Sequence, residues 1–80
     1  MKIRRDISGA ELSKAVKKLG YELVRQKGSH IYMTTAQKGE HHIAIPLHNP
    51  LKIGTLSSIL GDIAEHFGLS KEEVVNELFF

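Results

Sequence analysis

Eighty residues, 41% hydrophobic and 25% charged, suffice for one domain with a small core, which excludes a disordered chain and leaves no room for a second catalytic domain within residues 1–80. Cysteine is absent, so disulfides and thiolate metal ligands are excluded, in keeping with a reducing compartment. The net charge of +2 admits a polyanionic partner without requiring one, because the placement of cations matters more than their sum.

Met1-Lys2-Ile3-Arg4-Arg5-Asp6 carries cations with no apolar run behind them, so no secretory signal is expected. No stretch approaches the ~18 apolar residues of a membrane span, and a cytoplasmic protein is expected. Ser8-Gly9-Ala10-Glu11 has the S-x-x-E spacing of a capping box, with Ile7 placed to staple onto Leu12, so a helix is predicted from Ser8. Leu12, Ala15, Val16 and Leu19 recur at helical spacing as one buried stripe, and Gly20 stands where a left-handed cap ends it. Lys14, Lys17 and Lys18 fall on the outer side, either as a solvated face or as one that touches a nucleic-acid backbone without reading bases.

Three strands are predicted next, Tyr21 to Gln26, His30 to Thr35 and His41 to Pro46, joined by Lys27-Gly28-Ser29 and by the polar loop Gln37-Lys38-Gly39-Glu40. They form an antiparallel meander. Tyr21 and Leu23 alternate with Glu22 in the first. Inward Ile31 and Met33 send His30, Tyr32 and Thr34 outward, and inward Ile43 and Ile45 do the same for His42 and Ala44, so His30 and His42 share an exposed face. Pro46 cannot donate to a ladder and ends the third strand, and Leu47-His48-Asn49-Pro50 is a turn-rich link. From about Lys52 the period is helical again, with Leu56, Ile59, Leu60, Ile63 and Phe67 on one stripe and Gly68 at its end. Ser70-Lys71-Glu72-Glu73 is a second capping box, stapled by Leu69 onto Val74, and the short helix it starts must pack Val75, Leu78, Phe79 and Phe80. The expected class is α+β, with the order α-β-β-β-α and a short extra C-terminal helix.

Five histidines raise the question of a metal. His41 and His42 point to opposite strand faces, and neither an H-x-x-x-H helix nor an acidic cluster joins them, so no metal or other cofactor is expected. Gly54-Thr55 lacks the strand and lysine of a phosphate-binding loop. Ser29 neighbours His30, but neighbours on a strand point apart, and its hydroxyl reads as a partner of the turn backbone. What stands out is Gln26-Lys27-Gly28-Ser29-His30, where a glycine turn hands over to a strand that opens on an imidazole. With an ordinary pKa of about 6.5, histidine takes and returns protons near neutrality. A lone histidine suits a substrate that brings its own nucleophile, as RNA does with its 2'-hydroxyl. Lys27 stands next to the turn, either solvated or as a charge for the reacting phosphate.

Gly28-Ser29-His30, then Pro46-Leu47-His48, then Gly54-Thr55-Leu56 with Ile59-Leu60, and Leu19-Gly20-Tyr21 before the first strand, together resemble the HicA family of toxin messenger-RNA interferases over roughly Ser8 to Leu60. The pair His41-His42 lies outside that pattern. The resemblance implies a double-stranded-RNA-binding-like α-β-β-β-α fold and metal-independent endonucleolytic cleavage of mRNA that inhibits translation. It implies His30 as the catalytic residue and a HicB-like antitoxin that covers it. His48 resembles the second histidine of the pattern and reads either as a link residue or as proton donor to the leaving 5'-oxygen. A non-catalytic RNA-binding module of the same fold, using Lys14, Lys17 and Lys18 alone, is the alternative.

Overall fold

The computed structural model describes residues 6–80, and the stretch read for a secretory signal lies outside the described residues except for Asp6. Ser8 caps α1 (Gly9–Ala15), its hydroxyl accepting from Glu11 N–H at 3.0 Å while the Glu11 carboxylate accepts from Ser8 N–H at 3.4 Å. The predicted helix continues as a 3-10 turn over Val16–Leu19, which tightens the end so that Gly20, at φ 84°, caps it and Tyr21 N–H reaches the Val16 carbonyl. The sheet is β1 (Glu22–Lys27), β2 (His30–Thr35) and β3 (His41–Pro46), antiparallel in the order β1-β2-β3. The crossover holds a cis Asn49–Pro50 bond and leads to α2 (Ile53–Phe67), then α3 (Lys71–Phe79), whose Ser70–Glu73 capping box also forms. This is the α-β-β-β-α order with the extra terminal helix.

One core unites the layers. Ile31, Met33, Ile43 and Ile45 form the floor, covered by Leu12 and Val16 before the sheet and by Leu56, Ile59, Leu60 and Ile63 from α2. The helices therefore occupy one face of the sheet and leave the other open. Thr35 is the polar member of this interior, and it is satisfied: its hydroxyl donates to the Leu19 carbonyl at 2.9 Å and accepts from Gln37 N–H at 3.1 Å.

Several expectations are corrected. Tyr21 is fully buried but precedes the strand, and Leu23, on the inner face as the ladder partner of Met33, is nevertheless 54% exposed. The helices leave this edge strand bare, and beyond Leu23 a bulge reverses its facing: Val24 is an extra residue between the pairs Leu23–Met33 and Arg25–Tyr32. Phe80 does not pack; it follows the last turn of α3 and is 85% exposed. Lys18 is exposed as expected, but its Nζ is engaged, donating to the Leu78 carbonyl at 3.0 Å, where a cation meets the unpaired acceptors of a helix C-terminus. Among the described residues no helix is long and apolar enough to cross a membrane.

Candidate functional site

Lys27 and His30 are ladder partners, so Gly28 and Ser29 make a two-residue hairpin loop. Gly28 has φ 59° and Ser29 does not have a positive φ, the pattern of a type II′ turn, which puts glycine first of the two central residues. No neighbour lies near the place of a Cβ on Gly28, so the backbone angle, not crowding, requires glycine. Ser29 holds the turn through its carbonyl, which accepts from Leu47 N–H at 2.6 Å, and not through its hydroxyl as expected. His30 thus opens β2 between Lys27 and Pro46, exposed and backed by a bonded turn.

Opposed residues of antiparallel strands point to the same side, so the register describes the open face as three rows. Lys27, His30 and Pro46 form one, Arg25, Tyr32 and Ala44 the next, and Glu22, Thr34 and His42 the third. Without the bulge, Val24 and Gln26 would stand where Arg25 and Lys27 now flank Tyr32 and His30. The Arg25 guanidinium lies 4.8 Å from the Tyr32 ring centroid, a cation–π contact. Sequence reasoning missed Arg25 because strict alternation assigns it to the other face; the adjacent apolar pair Leu23-Val24 was the visible break in period.

Along the free edge of β3 runs a groove of about 550 Å³ that reaches from His30 and Pro46 to His42 and is walled on the other side by Gly54, Thr55, Ser58 and Asp62 of α2. His42 and His30 do face one side, as expected. Four residues separate His42 from Pro46, the ladder partner of His30, or roughly 13 Å along the strand, too far for both rings to serve one phosphate. The His42 ring is held by the Thr34 hydroxyl at Nδ1 (2.6 Å), and its Nε2 lies 3.4 Å from the Glu40 carboxylate. His48 is exposed in the crossover, and its carbonyl accepts from Gly9 N–H at 2.9 Å. It does not line the groove with His30. Lys14 and Lys17 are exposed on the helical layer, on the other side of the sheet from His30.

His41 turns toward the helices. Its Nδ1 is 2.7 Å from the buried Tyr21 hydroxyl, its ring stacks on His66 with centroids 4.5 Å apart, and His66 Nε2 donates to the Gln37 carbonyl at 2.9 Å. Burial, then the negative charge of Asp62, pushes the Tyr21 phenol up to about 12. Burial, then His66, holds the His41 pKa below its ordinary 6.5, with His42 adding to the effect and Asp62 and Glu65 opposing it. The folded state therefore binds this proton less readily than the unfolded chain, and stability rises with pH. The contribution is complete above about 6.5 and is lost as the pH falls from there through the lower folded value. Melting at pH about 7.5 and about 5.5 should show a drop that is smaller in His41→Gln, which keeps a partner for Tyr21; an equal drop would assign it to other groups. Among the described residues no three His, Asp or Glu side chains are grouped to hold a metal.

No curated protein and no solved structure matches the chain. A comparison with protein families matches residues 9–65 to the family described as the HicA toxin of bacterial toxin-antitoxin systems, a stretch that runs from the first residue of α1 into the last turns of α2 and contains the hairpin, the open face and the groove. With most of its length matched, and with the order of elements that the sequence motifs imply, the chain belongs to the HicA toxin family.

Proposed function

We propose that this toxin is a metal-independent endoribonuclease that cuts mRNA in the cytoplasm, using His30 as general base, and so stops translation. The observation that carries this is the placement of His30: exposed, fixed by a type II′ turn, beside a lysine in the ladder and at the end of a groove. In the reaction His30 takes the proton of a 2'-hydroxyl, the freed oxygen attacks the adjacent phosphorus, and the bond to the 5'-oxygen breaks as that oxygen takes a proton from solvent, to which His30 then releases the one it holds. The products are a 2',3'-cyclic phosphate and a 5'-hydroxyl. Lys27, in the same row, offsets the charge that builds on the phosphate. Gly28 and Ser29 hold the imidazole in place, and Lys14 and Lys17 give a longer transcript a second cationic surface. His48 serves the link, since its carbonyl anchors α1 and its side chain lies outside the groove. Family membership implies a cognate antitoxin. We take it to be HicB-like and to cover the face that carries His30.

The test is incubation of the pure protein with a labelled transcript, with and without a chelator, and analysis of the new ends. Cleavage that survives the chelator and leaves 2',3'-cyclic phosphates is expected. A 5'-phosphate product, or activity restored by a divalent ion, would point to attack by metal-bound water. RNA bound but never cut would favour a binding module.

A further inference from the structure

We propose that the bulge at Val24 makes the open sheet face a reader of single-stranded RNA, in which Tyr32 stacks the base next to the cut and Arg25 holds its phosphate. The identity of the ligand rests on the ribonuclease reading above; the assignment of Tyr32 and Arg25 rests on the register. The bulge exchanges Val24 and Gln26 for Arg25 and Lys27 on the face of His30. Two cations and an aromatic ring then surround the imidazole, the combination that single-strand sites use: charge for the backbone and a π-face for the base.

Tyr32 has one side occupied and one free. Arg25 covers the ring from β1, while the neighbour on β3 is Ala44, whose methyl group is too small to cover the second side and which lines the groove. A base entering from the groove can stack there. Arg25, its guanidinium carbon 4.8 Å above the ring centroid, has five N–H donors on a planar fork, enough to reach a phosphate from that position. The third row sets a limit. Glu22 stands there and Glu40 lies beside His42, so negative charge meets the backbone beyond Tyr32. His30 and Tyr32 are two residues apart, roughly 6.6 Å, which gives a short site holding the scissile phosphate and one stacked nucleotide. A paired base has both faces stacked within its helix and does not reach the ring, so duplex RNA is the poorer ligand.

Binding is measured without turnover, with the His30→Ala chain and a labelled short single strand, and with the duplex of the same sequence, by fluorescence anisotropy. The single strand is expected to bind more tightly. Tyr32→Leu in this background should weaken it by about 5- to 150-fold, and Tyr32→Phe should retain affinity. Arg25→Gln should make the log-log salt dependence shallower by about 0.7, one phosphate contact. Duplex bound as well as single strand, or Tyr32→Leu binding like its parent, would overturn the proposal. Because these arms need no cleavage, a wild-type chain that cuts nothing would sink the nuclease reading separately, while the binding arms still decide this one.

Discussion

A His30→Ala chain is expected to fold like the wild type and to cut RNA about 10²- to 10⁴-fold more slowly, the range that one placed general base contributes. The fold should be indifferent, because His30 is exposed and its side chain makes no hydrogen bond among the described residues; surface changes of this kind fall within about 0.5 kcal/mol. Growth inhibition by the expressed toxin should vanish with the activity. Two companions give the loss its meaning. Lys27→Ala should lower turnover at saturating RNA more than it lowers affinity, since in the proposed reaction the charge of this ladder partner of His30 acts on the phosphate as the bonds change. His48→Ala should keep both limbs of the pH–rate profile, its backbone rather than its ring being what the fold uses. Undiminished cleavage by folded His30→Ala removes the mechanism, and a flattened limb in His48→Ala assigns that ring the proton donated to the 5'-oxygen.

What was legible in the chain was whatever local rules decide. Both capping boxes form at Ser8 and Ser70, the bounds of β2 and β3 are those their alternation predicts, and Gly20 and Gly68 cap in the left-handed region. Each depends on residues within a few positions. β1 forms within one residue of its expected bounds, but its facing was misread because that outcome is set across the sheet: an edge strand with one extra residue reverses facing beyond Val24, and period two cannot see a pairing partner. The same limit hid the cluster of Tyr21, His41 and His66, which come from three segments and meet only in the folded chain. His30 could be singled out because glycine, turn and strand start are adjacent in sequence. Tyr32, two residues on in the same strand, follows from the alternation, whereas Arg25 joins them only through the register.

Gly9→Ala is expected to be the most damaging small substitution in the frame of the site. At the start of an ordinary helix alanine would be tolerated or favoured over glycine. Here a Cβ would fall well inside contact distance of the Pro46 carbonyl oxygen and 3.0 Å from Leu47 Cα, and both are backbone atoms with no rotamer to yield. Either α1 moves away from β3, losing Gly9 N–H to the His48 carbonyl, or Pro46–His48 moves, pulling on the Leu47 N–H bond to Ser29 and on the turn behind His30. Overpacking of this kind costs about 1–3 kcal/mol, which for a domain of this size is roughly 4–24 °C in melting temperature. RNA cleavage should fall as well below the melting point, since one of the two routes of relief passes through the hairpin. Gly54→Ala supplies the contrast, because nothing lies within 4 Å of its added carbon in the first turn of α2, and there alanine should be neutral or gain about 0.4–1 kcal/mol. Thermal melts of both variants beside the wild type decide the matter: if Gly9→Ala melts with Gly54→Ala, the approach of α1 to Pro46 is slack, and it does not hold the hairpin in place.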